Sequence, residues 1–440
     1  MKILIYISFI STFLLSSCLD VGESFEGPAP GPWRGVLQLD PDFITNNKKG
    51  APLPEKMNMK FEDINTTQLP FTFDVRYLAQ DRIAIDIHNG TEVITVDDII
   101  IGRDRKTAKD TILIDFPIYD SSIKAIYQGN VMAGDWIVHS KDDYRIPFKA
   151  NFGKDHRFTV NNKKPVSDLS GKWKVKFMDD DESYMAIGEF KQDGNTLTGT
   201  FITETGDYRY LAGTVQADKM YLSCFDGSHA FLFEAKLTEN NTILRGRFKS
   251  GTHYTAFWEA TRDPEFSLAD PNSLTYLKEG YDKMAFSFRN TEGELISLED
   301  EQFAGKPKII QIFGTWCPNC RDETEFLIDY LDKNPDPPFE IIALGFEKYK
   351  DSAKSMKALA KYKQKFDLPY PLLLAGTSNK AEAAAALPML NAIISYPTMI
   401  FLDKNNAVKK IHTGFYGPAT TQYQAFVEDF ESNIENILTD

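Results

Sequence analysis

The chain has 440 residues, of which 42% are hydrophobic and 25% are charged. This composition is typical of folded globular proteins, and the length exceeds one domain and predicts about three. The net charge of −14 argues against nucleic acid as a partner and against a basic membrane-binding patch.

The N-terminal residues have the pattern of an exported lipoprotein. Residues 1–17 contain one lysine followed by an apolar run, which predicts a secretory signal peptide. The segment Leu-Ser-Ser-Cys at 15–18 resembles the lipobox of bacterial lipoproteins, and this resemblance implies that Cys18 is lipidated. An ordinary cleavage site beside an incidental cysteine is the alternative. We expect a lipid-anchored protein of the cell envelope that faces the periplasm. Both the inner and the outer membrane remain candidates for the anchor.

Residues 18–32 are predicted to be the lipidated cysteine and a flexible tether. They include Gly-Pro-Ala-Pro-Gly-Pro at 27–32, a composition that favours extended chain over packed structure. The apolar run of the signal peptide is itself too short for a stable membrane span. The tether would therefore hold the first folded domain away from a membrane to which only the lipid binds.

The region from Trp33 to about Arg262 is predicted to be rich in β-strands. Short runs of alternating apolar and polar residues, such as 71–75 and 173–177, are separated by asparagine, aspartate and glycine. Helical periodicity is almost absent. This pattern favours an antiparallel sandwich or barrel.

The β-rich region also contains an internal repeat. Three pairs of similar segments recur in the same order: 33–36 with 173–175, 118–122 with 224–228, and 134–136 with 246–248. We expect two β modules, at 33–162 and 167–263, or two matching halves of one larger domain. Chance similarity between alternating strands is the alternative. Cys224, flanked by apolar residues, is expected to be a buried inert thiol, against the alternative of an accessory redox thiol.

Residues 277–440 alternate between strand and helix patterns, which predicts an α/β domain. A β-branched and aromatic run at 309–313 breaks at Gly314 and is followed by Trp-Cys-Pro-Asn-Cys at 316–320 and an amphipathic segment. This order predicts a buried strand, a short loop and a helix start, with Pro318 in the first helical position. Further helices are predicted at 352–366, 379–394 and 420–438.

The two cysteines of this segment are candidates for redox chemistry. Cys317 would lie at a helix N-terminus, where the helix dipole lowers the pKa of a thiol and favours the thiolate. Cys320 would follow one turn later on the same face, close enough to attack a mixed disulfide formed on Cys317. A zinc site is the alternative, but the sequence offers no second Cys/His pair with ligand spacing. We expect a redox-active disulfide, no metal and no other cofactor.

With these residues in view, 277–440 resembles the TlpA/ResA-type thiol–disulfide oxidoreductases of the thioredoxin superfamily. The resemblance rests on the 316–320 motif, on Glu323, and on Ser-Tyr-Pro-Thr at 395–398. Together with the lipobox and the β-rich region, the chain is similar to lipoproteins common in Bacteroidota. The resemblance implies a thioredoxin-like fold for about two-fifths of the chain and leaves the β-rich region unassigned.

The resemblance also implies roles for individual residues. Pro397 would follow a cis peptide bond and face the cysteines, leaving the Tyr396 backbone free to pair with an extended substrate beside Trp316. Glu323, three residues after Cys320, would lie beneath the cysteine pair and tune its pKa values. The alternatives are a trans proline at an edge strand and a solvated helix glutamate.

The expected activity is the reduction of disulfides in periplasmic proteins. The Cys317 thiolate would attack a substrate disulfide and Cys320 would resolve the mixed disulfide. No flavin, nicotinamide or metal motif is present, so a membrane protein that donates thiol electrons would restore the dithiol. Family resemblance, and not the sequence itself, favours reduction over oxidation.

Two other functions remain open at this stage. A thiol peroxidase is one, although its motif Pro-x-x-x-Thr-x-x-Cys is absent, because Thr315 lies only two residues before Cys317. The other is a lipid-anchored binding or assembly protein in which the β-rich region does the main work and the thioredoxin-like domain is subsidiary.

Overall fold

In the computed structural model of the protein, residues 27–39, 64–80, 82–179 and 182–439 are described. The predicted signal peptide, Cys18 and most of the predicted tether lie outside these residues. No helix of the described residues is long and apolar enough to cross a membrane.

The first β module is a nine-stranded antiparallel sheet. Its strand order is β4-β3-β2-β1-β9-β8-β7-β6-β5, so the first strand pairs with both the second and the last. Alternate side chains point into an aromatic and β-branched core. The strands are β1 (Gly31–Gln38), β2 (Gln68–Ala79), β3 (Arg82–Asn89), β4 (Glu92–Val96), β5 (Ile99–Asp104), β6 (Lys109–Phe116), β7 (Ser121–Gln128), β8 (Val131–Val138) and β9 (Arg145–Phe152).

The second β module is a closed antiparallel barrel. The strand order β11-β10-β18-β17-β16-β15-β14-β12 closes through pairing of β11 with β12, and β13 extends β12. Closure leaves the eight barrel strands without a free edge. The strands are β10 (Gly171–Met178), β11 (Ser183–Asp193), β12 (Thr196–Thr203), β13 (Gly206–Asp207), β14 (Leu211–Gln216), β15 (Lys219–Phe225), β16 (Ala230–Thr238), β17 (Ile243–Ser250) and β18 (Tyr254–Arg262).

The repeated sequence segments occupy equivalent places in the two modules. Trp33 and Trp173 lie in the first strands, and each indole Nε1 donates to the carbonyl four residues earlier at 2.9 Å. Gly134 and Gly246 lie in the next-to-last strands, where an added Cβ would come within 2.0 Å and 2.2 Å of a neighbouring carbonyl oxygen. In each module the first strand pairs with the last. The predicted antiparallel, β-rich N-terminal region is confirmed.

The predicted tether differs from the structure at its C-terminal end. Strand β1 already begins at Gly31, which pairs with Val75. The carbonyl of Pro28 accepts a hydrogen bond from the Tyr77 hydroxyl at 3.0 Å. These hydrogen bonds to strand β2 and its side chains bring a Gly/Pro-rich segment onto the sheet, although its composition alone favours a solvated chain.

The C-terminal residues form the predicted α/β domain. Its sheet has the order β20-β19-β23-β22-β21-β24-β25, with β21, β22 and β23 parallel and the remaining pairs antiparallel. The strands are β19 (Ser287–Asn290), β20 (Leu295–Ser297), β21 (Lys308–Phe313), β22 (Glu340–Glu347), β23 (Leu372–Thr377), β24 (Thr398–Leu402) and β25 (Val408–Thr413). The helices are α1 (Pro271–Leu274), α2 (Pro318–Lys333), α3 (Ser352–Phe366), α4 (Lys380–Ala386) and α5 (Tyr423–Thr439), with a 3₁₀ turn at Glu301–Phe303.

One helix of this domain is shorter than predicted. The alanine-rich pattern predicts a helix throughout 379–394, but α4 ends at Ala386. Pro388 follows two residues later, and the residue before a proline is disfavoured in the helical conformation. The chain beyond it buries Met389 and Leu390 in the core instead.

The three units pack against one another. Phe225 of the barrel enters the core of the first module, with ring centroids 4.6 Å from Phe71 and 5.3 Å from Trp136. Ile118 of the first module packs on the core of the α/β domain. The β12–β13 hairpin of the barrel lies beside the start of α2. The N-terminus of α2 is therefore covered by both β modules.

Candidate active site

The cysteine pair lies where strand β21 passes into helix α2. Strand β21 is fully buried and α2 begins at Pro318, so the loop between them is fixed at both ends. Cys317 is the N-cap residue of α2, and its Sγ accepts the backbone N–H of Cys320 at 3.2 Å. The two cysteines form a disulfide with their Cα atoms 5.2 Å apart. The predicted strand–loop–helix order is confirmed.

The disulfide faces the loop before β24. The peptide bond between Tyr396 and Pro397 is cis, as the family resemblance implied. Cys317 Sγ lies 3.4 Å from the carbonyl oxygen of Tyr396. Cys317 is 6% exposed and Cys320 is fully buried. Cys317 is therefore the cysteine whose sulfur can reach a substrate.

Trp316 forms one wall beside the disulfide. Its indole Nε1 donates to the carbonyl of Phe346 at 3.0 Å, and its ring stands at a steep angle to the Tyr396 ring, with centroids 5.5 Å apart. The Lys348 Nζ lies 4.2 Å from the centroid of the Trp316 ring, in cation–π geometry. The predicted substrate-binding residues Trp316, Tyr396 and Pro397 are thus adjacent in space.

Glu347 holds the loop in front of the cysteines and was not predicted from the sequence. Its two carboxylate oxygens accept hydrogen bonds from the backbone N–H and the hydroxyl of Thr315, each at 2.9 Å. Burial raises the pKa of Glu347 to about 6, although the two hydrogen bonds oppose this shift. Its only sequence signal is its place at the end of a strand beside the active-site loop.

Glu323 is a residue of helix α2, three positions after Cys320. It is fully buried, so the alternative of a solvated helix glutamate is wrong. Its Oε2 accepts a hydrogen bond from Gln311 Nε2 at 2.9 Å, and its Oε1 has no hydrogen-bond partner among the described residues. Burial raises the pKa of Glu323 to about 8, and the Gln311 bond only partly offsets that rise. The carboxyl group is thus largely protonated at neutral pH.

The barrel binds the cysteine motif directly. The Ser228 hydroxyl donates to the carbonyl of Trp316 at 3.2 Å, and the Asn319 side chain donates to the carbonyl of Asp207 at 3.1 Å. Asp207 is partly buried, and desolvation raises its pKa to about 6. The motif is therefore fixed on the outside by loops of another module as well as by its own domain.

The β12–β13 hairpin also contacts the loop that carries the cis-proline. The Ser395 hydroxyl donates to the carbonyl of Thr205 at 2.6 Å. Gly206 has a φ of 138°, and a Cβ there would lie 2.6 Å from Asn319 Nδ2. A Cβ at Gly414 would lie 3.0 Å from the Thr205 backbone. Glycine at both positions permits this close approach of the hairpin to the active-site loops.

Arg209 connects all three units at the N-terminus of α2. It is 2% exposed and donates to the carbonyl of Pro318 at 3.1 Å. It forms ion pairs with Glu92 of the first module and Asp322 of α2, and its Nε lies 3.6 Å from Asp226 of the barrel. Burial alone would lower the pKa of Arg209, but the surrounding carboxylates raise it. The guanidinium is therefore a permanent buried charge.

Sequence patterns did not reveal the barrel's contribution to the site. Arg209 and Ser228 are ordinary loop residues of a β-rich region, and Asp207 ends the short strand β13. Their partners lie about a hundred positions away in the chain. The one sequence signal among them was the repeated segment 224–228, which contains Ser228. Cys224 lies apart from the disulfide in strand β15, where it is a free cysteine and buried. Burial raises its thiol pKa, and the prediction of a buried thiol is confirmed.

Comparison with known proteins agrees with this geometry. Residues 278–425 match the Redoxin family. The C-terminal domain is a Redoxin domain. The thioredoxin-like protein YneN of Bacillus subtilis is 28% identical over 138 residues, which cover 31% of this chain and 73% of YneN. The thiol–disulfide oxidoreductase ResA of Bacillus thuringiensis is 26% identical over 123 residues, which cover 28% of this chain and 62% of ResA, less than two thirds.

Among solved structures, a thioredoxin-family thiol:disulfide interchange protein from Chlorobium tepidum aligns with 37% of this chain and 98% of its own. Its sequence identity is 19% and its TM-score is 0.28. The expected resemblance is confirmed by the family match and the two relatives: the C-terminal domain matches Redoxin and is similar to a thioredoxin-like protein and to a thiol–disulfide oxidoreductase. The Redoxin match does not include the two β modules.

We expect Arg209→Met to expose the active site. The substitution leaves the carboxylates of Glu92, Asp226 and Asp322 without their shared cation, at a cost on the order of 3–5 kcal/mol. Reduced Cys317 should then react several times faster with iodoacetamide, measured by mass spectrometry, and the thermal midpoint should fall.

The matched control for this prediction is Arg247→Met, because Arg247 pairs with Glu234 inside the barrel. It should lower stability without accelerating the alkylation of Cys317. Equal alkylation rates in the Arg209 variant and the unmodified protein would contradict this role of Arg209.

We expect Glu323→Gln to remove a pH dependence of stability. The folded carboxyl has a pKa of about 8 against an ordinary 4.5, so its contribution is fully present below pH 4.5 and is lost as pH rises through 8. Calorimetric midpoints between about pH 5 and about pH 8.5 should fall further for the unmodified protein than for the variant. Parallel pH profiles would show that Glu323 does not titrate in this way.

Proposed function

We propose that the protein is a membrane-anchored, extracytoplasmic thiol–disulfide oxidoreductase that reduces disulfides of periplasmic proteins. The observation that carries this proposal is the position of Cys317 as N-cap of α2. Its sulfur accepts the N–H of Cys320 at the positive end of the helix dipole, and both contacts favour a thiolate. A thiolate is the nucleophile in thiol–disulfide exchange.

In the first step the Cys317 thiolate attacks one sulfur of a substrate disulfide. A new S–S bond forms between Cys317 and that sulfur, the substrate S–S bond breaks, and the second substrate sulfur leaves as a thiolate that takes a proton from water. Trp316 would lie against the substrate chain beside the attacking sulfur.

In the second step Cys320 resolves the mixed disulfide. Its thiol proton passes to Glu323 in the minor fraction of molecules in which that carboxyl group is ionised, because a carboxyl with a pKa of about 8 exchanges protons readily with a thiol, whose ordinary pKa is about 8.5. The Cys320 thiolate then attacks Cys317 Sγ, and the remaining substrate sulfur leaves. The enzyme retains the Cys317–Cys320 disulfide, and the substrate has gained two electrons.

Each cycle ends with an oxidised enzyme, so a second thiol protein must return two electrons. A membrane protein that donates thiol electrons fits this need, because the predicted lipidation at Cys18 would hold the enzyme at the same membrane. The predicted signal peptide at residues 1–17 and the lipobox support this location.

Contacts at the site bear on the two alternatives. The Thr315 N–H and hydroxyl are both bound to Glu347, which leaves no threonine of this loop directed at a peroxide. Arg209 and Ser228 of the barrel bind the cysteine motif itself, which argues against a merely subsidiary Redoxin domain. Oxidoreductase function remains the proposal with the strongest support.

Cys320→Ser is expected to trap substrates. Without the resolving thiol, the mixed disulfide on Cys317 persists, and envelope proteins should copurify with the full-length variant in a form that dithiothreitol releases. In the same cells, Cys18→Ala should move the protein from the membrane to the soluble fraction.

The control for the trap is the double variant Cys317→Ser, Cys320→Ser, which should capture nothing. Equal capture by the double variant, or no capture by Cys320→Ser, would contradict the proposed exchange reaction.

A further inference from the structure

This inference rests on the proposed function and concerns the side from which a substrate reaches Cys317. The cis-proline side is occupied by the barrel hairpin, because Thr205 accepts the Ser395 hydroxyl and Asp207 accepts the Asn319 side chain. An extended substrate strand cannot occupy that side while the hairpin is in place. Access therefore has to come from the opposite side, along Trp316.

A cleft opens on that side between the first β module and the Redoxin domain. It has a volume of about 350 Å³. The turn between β6 and β7, together with His139, forms one wall, and Lys348 and helix α3 form the other. Trp316 closes the inner end of the cleft, next to Cys317 in the chain. A segment lying in the cleft would thus point at the reactive sulfur.

The helix wall of the cleft is strongly basic. Lys354, Lys357 and Lys361 are spaced three and four residues apart on α3 and therefore share one helix face. All three are exposed. Lys348 is exposed as well, but desolvation by the surrounding protein atoms, together with the positive charge of Lys141, lowers its pKa to about 8. Four lysines in one cleft contrast with a chain whose net charge is −14.

The acidic residues of the cleft already have other partners. Both oxygens of Glu347 bind Thr315, and Asp120 accepts the Tyr349 hydroxyl. These hydrogen bonds hold the carboxylates in fixed positions. Their charges remain, but two acids face four lysines in the lining of the cleft.

The lysines of the cleft differ from the next lysines of the same helix. Lys363 pairs with Glu292, and Lys365 pairs with Asp97 and Asp98 of the first module. In the part of the chain that the structure describes, no carboxylate forms an ion pair with the three cleft lysines of helix α3. Their charge is available to a ligand.

We propose that the lysine cleft, defined by Lys348, Lys354, Lys357 and Lys361, receives an acidic segment of the disulfide-bearing substrate protein. Opposite charges would speed encounter and set the register of the segment, so that its disulfide lies at Trp316 and Cys317. Each exposed ion pair is weak and is screened by salt. We therefore expect the cleft to favour acidic over neutral substrate segments modestly, and less so as the ionic strength rises.

The test uses the full chain, dithiothreitol as the reductant that restores its dithiol, and three peptides that share one intramolecular disulfide and carry acidic, neutral or basic flanks. The rate at which dithiothreitol alone reduces each peptide is subtracted. The acidic peptide should have the lowest KM at low salt, and its advantage should shrink at high salt. In the variant Lys357→Gln, Lys361→Gln, KM for the acidic peptide should rise by about fivefold with kcat unchanged, while the neutral peptide is unaffected.

The matched control is Lys363→Gln with Lys380→Gln, which removes the same charge outside the cleft and should leave the order of the peptides unchanged. Equal KM values for acidic and neutral peptides, or an equal loss in both double variants, would overturn the lysine cleft as a docking site. If the unmodified protein reduces none of the three peptides, the proposed function itself fails. The two failures are therefore distinguishable.

Discussion

The arrangement of the molecule depends on one buried cation. Arg209 comes from a loop of the barrel, and its guanidinium meets carboxylates from the first module, from the barrel and from helix α2. A buried charge is tolerated only where partners surround it, and these partners come together only when all three units are in place. The same side chain also binds the carbonyl of Pro318 inside the cysteine motif. The same side chain therefore fixes both the packing of the three units and the geometry of the active site.

The consequence for the proposed chemistry is a dithiol with restricted access. Helix α2 supplies the environment for a thiolate at Cys317, and Glu323 supplies a buried carboxyl whose pKa is near that of a thiol. The barrel hairpin covers the cis-proline side, and the side of Trp316 leads to an open cleft. A Redoxin domain without the β modules would leave its cysteines open on both sides. In the proposed reaction the modules would therefore limit which disulfides reach Cys317.

The parts that could be predicted from the sequence are those set by local interactions. The strand, loop and helix around Cys317, the first helical position of Pro318 and the β-rich character of the N-terminal region all follow from short-range patterns. The helical spacing of Glu323 from Cys320 places it one turn later on α2, where it is buried as the resemblance required. The helix predicted at 379–394 is too long, because the helix propensity of its alanines outweighs the single Pro388 in the sequence pattern.

The parts that could not be predicted depend on contacts between distant segments. Arg209 and Ser228 lie far from the cysteine motif in sequence, and Glu347 lies in the neighbouring strand of the sheet. Nothing in the residues beside them distinguishes them from solvated loop residues. Strand register in the sheet places Glu347 beside the site, and packing of the barrel on the Redoxin domain brings Arg209 and Ser228 to it.

The most direct measurement is the reduction potential of the Cys317–Cys320 pair in the full chain. We predict a value near or below that of thioredoxin, about −270 mV, because the proposed enzyme gives electrons to substrate disulfides. A value near about −120 mV, which is that of a strong oxidant, would contradict the direction of the reaction.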